Sequence, residues 1–134
     1  QRPDLAIAKF TQKILQGEPI DRYGDGSTAR DYTYVEDIIS GVVSAIKYDA
    51  KDFDIFNLGG SATTTLTELI TMLEKTIGKK AIINQMPDQP GDVPRTYADV
   101  SKAEQLLGYQ PNTPIAKGLE KYVQWFRKNH PDLG

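Results

Sequence analysis

Two loops of the sequence each combine glycine, aspartate and arginine, residue types that together can bind an anion. The first is Tyr23-Gly24-Asp25-Gly26, followed by Arg30, and the second is Gln89-Pro90-Gly91-Asp92, followed by Arg95. Guanidinium groups bind phosphates and carboxylates through paired hydrogen bonds, and a nearby carboxylate can accept hydrogen bonds from ribose hydroxyls. The two loops therefore predict a site for a phosphorylated small molecule, although neither supplies reaction chemistry.

Structural interpretations compete with these functional ones. Arg30 can be a surface arginine paired with Asp25 or Asp31, and the loop of Asp92 and Arg95 can be an irregular connection with solvated charges. The nearby tyrosines can stack on a base or pack against the next helix; they are Tyr23, Tyr32 and Tyr34. Local chemistry leaves these alternatives open.

An acidic cluster raises the question of acid–base catalysis. Its members are Asp25, Asp31, Glu36 and Asp37. Paired carboxylates can transfer protons, but Glu36 and Asp37 fall in the first turn of a predicted helix. Acids there interact favourably with the helix dipole and with free N–H groups, so we favour the capping interpretation and assign no catalytic residue.

Composition excludes several classes of function. The chain has 134 residues and a formal net charge of −2, which gives no basic surface for nucleic acid or anionic lipid. No apolar run reaches the roughly 20 residues that cross a bilayer. With no cysteine and a single histidine, His130, the chain cannot form a disulfide, a thiolate nucleophile or a histidine-cluster metal site. The start, Gln1-Arg2-Pro3-Asp4, lacks methionine and resembles a cut inside a longer protein.

Hydrophobic periodicity predicts five helices joined by short strands. The helices are predicted at about residues 4–16, 34–47, 66–77, 101–107 and from 113 onward, with capping boxes at Thr65/Glu68 and Ser101/Glu104. Strands are predicted at 20–23, 53–58 and 81–86, with another possible at 31–33 and a short extended piece at Tyr97. The alternation indicates α/β or α+β, and we take the class as α/β, a small mixed domain covering residues 1–134. The strands are too few for a complete Rossmann sheet, and Gly-x-Gly-x-x-Gly is absent.

The motifs, taken in order, resemble those of one enzyme family. They are Arg2-Pro3-Asp4-Leu5-Ala6, Tyr23-Gly24-Asp25-Gly26 through Arg30-Asp31-Tyr32, Tyr34-Val35-Glu36-Asp37, Phe56-Asn57-Leu58-Gly59 and Gln89-Pro90-Gly91-Asp92-Val93. The chain resembles the C-terminal substrate-binding part of the extended short-chain dehydrogenase/reductases. Within them it is most similar to NAD-dependent UDP-glucuronate 4-epimerases and then to UDP-glucose 4-epimerases.

The resemblance implies a role for individual residues. Arg30 matches the arginine that contacts the nucleotide diphosphate, and Asp92 matches an acid near the ribose. Arg95 resembles an arginine on the phosphate side of the site. Gln89 stands where UDP-glucose epimerases have an arginine, which favours an enzyme that uses Arg95 instead. Tyr23 and its strand match the segment lining the uracil. Arg2 matches the arginine near the sugar carboxylate in glucuronate epimerases.

The resemblance also implies a reaction that these residues cannot perform alone. In the family, NAD oxidises the sugar at C4 and hydride returns to the other face, while a Tyr-x-x-x-Lys pair moves protons. None of the seven tyrosines is followed by lysine at the fourth position. We therefore expect a UDP-sugar-binding fragment that is inactive alone and binds no NAD itself. Its expected partners are the UDP-sugar and the missing NAD-binding domain.

Other readings stay open. A nucleotide-sugar dehydratase or a UDP-glucuronate decarboxylase of the same family uses similar C-terminal loops, and a stand-alone anion-binding or interaction module is the alternative from another class. We expect the fragment to be a monomer, because each helix shows one apolar stripe, and the parent to be a homodimer in the cytoplasm.

Overall fold

The computed structural model describes residues 5–133, which form two compact units. The first unit contains residues 5–28, 65–94 and 116–133. The second unit contains residues 29–64 and 95–115. Each unit is therefore assembled from segments that are distant in sequence.

Helices and short strands alternate along the described residues, which confirms the predicted α/β class. The helices are α1 (Ala6–Gln16), α2 (Val35–Ile46), α3 (Leu66–Ile77), α4 (Ser101–Leu107) and α5 (Ile115–Asn129). The strands are β1 (Pro19–Tyr23), β2 (Ala29–Arg30), β3 (Thr64–Thr65) and β4 (Ile82–Met86). Strands β1 and β4 form one two-stranded sheet, and β2 and β3 form another.

The first unit packs α1, α3 and α5 beside the β1–β4 sheet. Its buried side chains come from all three helices and include Ile14, Leu69, Leu73, Leu119 and Val123. Strands β1 and β4 are parallel, with Pro19 opposite Ile82 and Tyr23 opposite Met86. Because both strands run the same way, their carboxyl ends lie at the same edge of the sheet.

Local signals set the ends of two helices in this unit. The α1 helix ends at Gly17 (φ +71°) and α3 ends at Gly78 (φ +79°), both in the left-handed conformation that glycine adopts without strain. The predicted capping box at Thr65 and Glu68 is present at the start of α3. The ends of α1 and α3 could therefore be predicted from the sequence.

The second unit has a core of its own between α2 and α4. Val100, Ala103 and Tyr109 are its buried members. The Tyr109 hydroxyl donates a hydrogen bond of 2.8 Å to the Gly59 carbonyl oxygen. Burial, followed by the negative charges of Asp37 and Asp31, raises the pKa of Tyr109 above 10.0. The hydroxyl therefore stays a donor.

The predicted strand at residues 53–58 is wrong. This segment is irregular, since no described strand pairs with it. The Asp54 carboxylate accepts a hydrogen bond from the Ile55 N–H and binds the Lys102 ammonium. The possible strand at 31–33 is also displaced, because the paired residues are Ala29–Arg30, and Tyr97 belongs to no strand.

Two helix starts also differ from prediction, each because a side chain takes another partner. Ser101 donates from its N–H (3.0 Å) and its hydroxyl (2.6 Å) to Asp99 Oδ1, so the predicted capping box of α4 is absent. The α5 helix starts at Ile115 and not at Thr113. Thr113 instead donates from its N–H (3.0 Å) and hydroxyl (3.1 Å) to the carboxylate of Asp37. Asp37 is thus in the first turn of α2, as predicted, but its carboxylate accepts hydrogen bonds from Thr113 in a loop distant in sequence.

Candidate ligand-binding groove

The carboxyl ends of β1 and β4 open into a groove of about 1020 Å³ in the first unit. Tyr23 and Gly24 line it where β1 ends, and Met86 and Pro87 line it where β4 ends. In α/β proteins the edge formed by the carboxyl ends of parallel strands is the usual place for a ligand, because the chain turns outward there. The position of the groove therefore agrees with a binding site.

Gly24 shapes the first turn of the groove. Its N–H donates to the Met86 carbonyl oxygen at 3.1 Å, and its φ is +64°. A Cβ at this position would lie 2.2 Å from Asp88 Oδ1. The positive φ therefore favours glycine, and a Cβ would also displace the Asp88 side chain.

Gly26 attaches the same loop to the beginning of α3. Its carbonyl oxygen accepts hydrogen bonds from the Thr67 N–H and from the Thr67 hydroxyl, both at 3.1 Å. Its φ is +83°, and a Cβ would lie 2.2 Å from Thr67 Oγ1. Asp25 lies between the two glycines. Hydrogen bonds from the side chain and backbone of Ser27 lower the pKa of the Asp25 carboxyl, so Asp25 is an anion at neutral pH.

Gln85 holds the floor of the groove, and sequence reasoning missed it. Its Oε1 accepts from Arg22 Nε (2.9 Å) and Arg22 Nη2 (2.7 Å). Its Nε2 donates to the carbonyl oxygens of Gly24 (2.5 Å) and Met86 (3.0 Å). Arg22 and Gln85 are opposite each other in the β1–β4 register. The sequence shows only a glutamine one residue before the end of the predicted strand. Its role could not be predicted, because its partner Arg22 lies 63 positions away.

Gln89 and Asp92 form the far side of the groove, as two of the predicted binding residues. The Asp92 N–H donates to the Gln89 carbonyl oxygen at 3.1 Å, and Gly91 between them has a φ of +84°. The Pro/Gly-rich segment is therefore a turn, as the sequence predicted. The groove brings Tyr23, Gln89 and Asp92 together.

Arg30 and Arg95 lie in the second unit, on adjacent extended segments. Ala29 forms a parallel bridge with Arg95, and the Thr96 N–H donates to the Ala29 carbonyl oxygen at 3.1 Å. Arg30 Nη1 donates to that same oxygen at 2.8 Å. The Arg95 guanidinium carbon lies 5.2 Å from the centroid of the Tyr97 ring. The predicted arginines thus belong to two paired segments, while Arg2 lies outside the described residues.

The acidic residues of the second unit have structural partners. Asp31 Oδ1 accepts hydrogen bonds from the Gly60 N–H (2.8 Å) and the Thr33 hydroxyl (3.3 Å). Asp37 binds Thr113, as described above. Both carboxylates therefore hold loops in place. Within residues 5–133, no group of three or more His, Asp or Glu side chains is arranged to hold a metal ion.

The described residues do not form a dinucleotide site. A dinucleotide fold needs a strand, a glycine-rich turn and a helix whose N-terminus meets the pyrophosphate, whereas β1 is followed by a turn and the short strand β2. The described residues therefore lack the strand–turn–helix arrangement of a dinucleotide-binding fold. The described part of the chain also contains no helix with the length and apolar character of a membrane span.

A family model for GDP-mannose 4,6-dehydratase matches residues 2–122. The chain belongs to this family. It corresponds to the C-terminal part of the extended short-chain dehydrogenase/reductases, as the order of its motifs predicted.

Similar proteins are considerably longer than this chain. An uncharacterized protein of Methanocaldococcus jannaschii is 47% identical over 96% of this chain but only 39% of its own length. The UDP-glucuronic acid 4-epimerase of Bacillus cereus, solved with UDP-glucuronic acid and NAD, is 37% identical over 94% of this chain and 41% of that chain, with a TM-score of 0.84. The UDP-glucose 4-epimerase of Thermotoga maritima, solved with UDP-glucose, is 33% identical over 92% and 39%, with a TM-score of 0.85. The chain thus spans about two-fifths of these family members.

Proposed function

We propose that this chain is the UDP-sugar-binding part of an NAD-dependent nucleotide-sugar 4-epimerase, with UDP-glucuronate as the preferred substrate and UDP-glucose as the second choice. The observation that carries the proposal is the groove at the carboxyl ends of β1 and β4. Tyr23, Gln89 and Asp92, which the family resemblance marked as binding residues, all line it.

The chemistry of the groove suits a nucleoside. Its volume of about 1020 Å³ falls near the upper end of the roughly 300–1,000 Å³ typical of small-molecule sites. Tyr23 offers an aromatic face for the uracil. The Asp92 carboxylate offers an acceptor for ribose hydroxyls, and Gln89 offers an amide.

By the family resemblance, Arg30 and Arg95 are the candidate phosphate contacts of this chain. Arg30 and Arg95 start from the two segments joined by the Ala29–Arg95 bridge. A guanidinium group suits a phosphate, since it offers several N–H donors in one plane. In this proposal Arg2 pairs with the carboxylate of the uronate.

The hydride chemistry belongs to NAD held by another part of the parent enzyme. The residues of this chain bind and orient the nucleotide sugar, and none is assigned as catalytic. The parent is proposed to be a cytoplasmic homodimer. A dehydratase is the second candidate, because the matching family model is named for GDP-mannose 4,6-dehydratase.

The first test compares the chain alone with a chimera in which it replaces the matching segment of the Bacillus cereus 4-epimerase. The chain alone should not interconvert the C4 epimers of UDP-glucuronate, with or without NAD, because the Tyr-x-x-x-Lys pair is missing. The chimera should interconvert them, as measured by separation of the two UDP-uronates.

Matched variants make the comparison specific to the groove. In the chimera, Asp92→Ala should raise the KM for UDP-glucuronate, whereas Asp52→Ala, in an exposed loop, should not. Turnover by the chain alone would contradict its assignment as a binding part. A 4-keto-6-deoxy sugar as the chimera's product would favour the dehydratase, and a folded chimera without turnover would argue against the epimerase.

A further inference from the structure

A second cavity lies in the first unit, apart from the groove. Its volume is about 200 Å³, and it is lined by α1, by α5 and by the end of the described chain, which includes the short 3₁₀ helix Pro131–Leu133. Ala8 and Gln12 line it from α1, and Leu133 lines it from the 3₁₀ helix. None of its lining residues also lines the groove. We call it the aromatic cavity, because its other lining residues are Tyr122, Trp125, Phe126 and His130.

The four rings of the aromatic cavity contact each other. The centroids of the Phe126 and His130 rings are 4.4 Å apart, and those of Tyr122 and Trp125 are 5.8 Å apart. Aromatic pairs at such distances attract each other, so the rings hold one another in place. Phe126 is buried, whereas Trp125 is 54% exposed. The Trp125 indole therefore offers aromatic surface that a ligand can cover.

The backbone holds the end of the described chain beside these rings. The His130 N–H donates to the Phe126 carbonyl oxygen at 2.9 Å, and the Leu133 N–H donates to the His130 carbonyl oxygen at 3.1 Å. On the α1 side, the buried residue Ala8 leaves room that a longer side chain would fill. The cavity is therefore formed by the chain itself before any ligand arrives, as is usual for small-molecule sites.

The lining of the aromatic cavity favours a neutral ligand. None of its lining residues is Asp, Glu, Lys or Arg, and a charged ligand would lose hydration there without gaining a partner. Burial raises the pKa of Tyr122 above 10.0, so its hydroxyl is a donor at neutral pH. Within residues 5–133 this hydroxyl has no hydrogen-bond partner, although a tyrosine hydroxyl usually finds one when it is buried. Tyr122 can therefore donate a hydrogen bond to a ligand.

We propose that the aromatic cavity binds a small neutral molecule with one aromatic ring and one hydroxyl group, of the chemical class of phenol. A cavity of about 150 Å³ with apolar walls is large enough to bind benzene, so a volume of about 200 Å³ has room for the ring and one substituent. The ring packs against Trp125 and Phe126, and the ligand oxygen accepts a hydrogen bond from Tyr122. The inference goes beyond the proposed function and does not depend on it, because the two sites share no residue.

The single tryptophan of the chain reports binding directly, since it lines the cavity. Phenol is titrated into the chain, and Trp125 fluorescence is excited at a wavelength that phenol does not absorb. We expect a saturable change with a dissociation constant at or below about 1 mM. Benzoate, which has a similar size but is charged at neutral pH, should bind at least about tenfold more weakly. No saturable change at about ten times that phenol concentration, or equal binding of benzoate, would overturn the inference.

Filling the cavity should abolish this response. Ala8→Leu adds bulk from the α1 side and should weaken phenol binding at least about tenfold, because an occupied cavity has no room for the ring. Ala116→Leu adds the same bulk at an exposed position of α5 and should bind phenol like the unsubstituted chain. Circular dichroism checks that both variants are folded. A folded Ala8→Leu variant with unchanged phenol binding would place the site elsewhere and overturn the inference.

Tyr122→Phe tests the hydrogen bond without changing the ring, so it does not depend on the folding of the Ala8 variant. It should weaken phenol binding about two- to tenfold, the range for one hydrogen bond. It should not weaken the binding of toluene, which has no oxygen to accept that bond. Tyr48→Phe, in the second unit, is the control and should change neither. Unchanged phenol binding in Tyr122→Phe would contradict the assignment of a hydroxyl-bearing ligand.

A tyrosine side chain of another protein is a second source of the same ring. N-acetyltyrosinamide carries that ring on a peptide backbone, and we expect it to bind more weakly than phenol, because the cavity has room for a ring but not for a backbone. Tighter binding than phenol would assign the cavity to a docked protein and overturn the proposal. UDP should not displace phenol, and displacement would place phenol in the groove of the proposed function.

Discussion

One side-chain amide, that of Gln85, connects the two strands that end at the groove. It accepts two hydrogen bonds from Arg22 and donates to the carbonyl oxygens of Gly24 and Met86. The Arg22 guanidinium and the Gly24 turn are thereby fixed by the same group. At the scale of single residues, this uncharged side chain therefore links both strands at the groove.

We expect Gln85→Leu to lower the free energy of unfolding by about 1 kcal/mol, because the variant keeps the bulk of the side chain and loses its hydrogen bonds at an exposed position. Urea denaturation followed by circular dichroism measures the change. Gln16→Leu, at the exposed end of α1, is the control and should have a smaller effect. If the two variants are equally stable, Gln85 does not hold the groove.

The predicted diphosphate contact is tested at Arg30. In a protein that binds UDP, Arg30→Ala should weaken binding by about 1.5 to 3 kcal/mol, the range for a hydrogen bond to a charged group. Calorimetry with UDP measures the difference. Lys47→Ala, which removes an exposed cation just after α2, controls for a general loss of positive charge, and equal affinity of the Arg30 variant would exclude a phosphate contact.

Among the elements, the start of α3 has the strongest local signal. Thr65 Oγ1 accepts a hydrogen bond from the Glu68 N–H at 3.2 Å, and Glu68 Oε2 accepts one from the Thr65 N–H at 2.8 Å. Thr67 of this helix also donates a hydrogen bond from its hydroxyl to the Gly26 carbonyl oxygen. The capping box therefore supports the loop that lines the groove.

We expect Thr65→Ala to lower the free energy of unfolding by about 1 kcal/mol, as is typical for the loss of an N-cap side chain. Thr63→Ala, two positions earlier and outside the helix, is the control. Thermal unfolding of both variants measures the difference. A loss as large in Thr63→Ala would mean that the cap is not its cause.

The stability that this capping box contributes should depend on pH. Hydrogen bonds from the Thr65 backbone, and then from its side chain, lower the pKa of Glu68 below its ordinary value of 4.5. A depressed pKa means that this stabilisation is fully present above pH 4.5 and is lost as the pH falls through the lowered value. The Glu68→Gln variant should lose stability less steeply than the unsubstituted chain in that acidic range.

Elements with local signals were predictable, and elements that depend on distant partners were not. The bounds of α3 follow from Thr65, Glu68 and Gly78, which all lie at its ends. The two-residue strands β2 and β3 exist only because distant segments pair, so neither has a sequence pattern of its own. The segment at 53–58 shows the converse error, since its alternating apolar residues indicated a strand, and no strand within residues 5–133 pairs with it.

The same contrast holds for the candidate site. Tyr23, Gln89 and Asp92 were identified from glycine and proline in their loops and from the family motifs, and the groove brings them together. Gln85 could not be found this way, because its importance comes from Arg22 on another strand. Asp37 looked like a helix-capping residue because its partner, Thr113, lies 76 positions away.

For the whole molecule, the sugar preference is tested at Arg2 in the full-length parent. A uronate carboxylate gains a bidentate partner from a guanidinium, whereas a hydroxymethyl group leaves that guanidinium less fully paired. We expect Arg2→Ala to lower kcat/KM for UDP-glucuronate much more than for UDP-glucose. The ratio of the two efficiencies, before and after substitution, is the measurement.

Lys9→Ala, in helix α1, is a suitable control for the loss of a cation and should leave this ratio unchanged. An unchanged ratio in Arg2→Ala would mean that Arg2 does not recognise the carboxylate. UDP-glucose would then become the better assignment.

The parallel pairing of β1 with β4 has a consequence for the order of folding. Tyr23 pairs with Met86, so a ribosome must synthesise the whole segment between them before the groove can begin to form. Closing so long a loop costs conformational entropy that local contacts do not repay. The α3 helix and its cap can form from neighbouring residues, whereas the groove belongs to the slow, non-local stage of folding. A nascent chain that stops before β4 exposes the edge of β1 and has no groove to bind a nucleotide that would stabilise it.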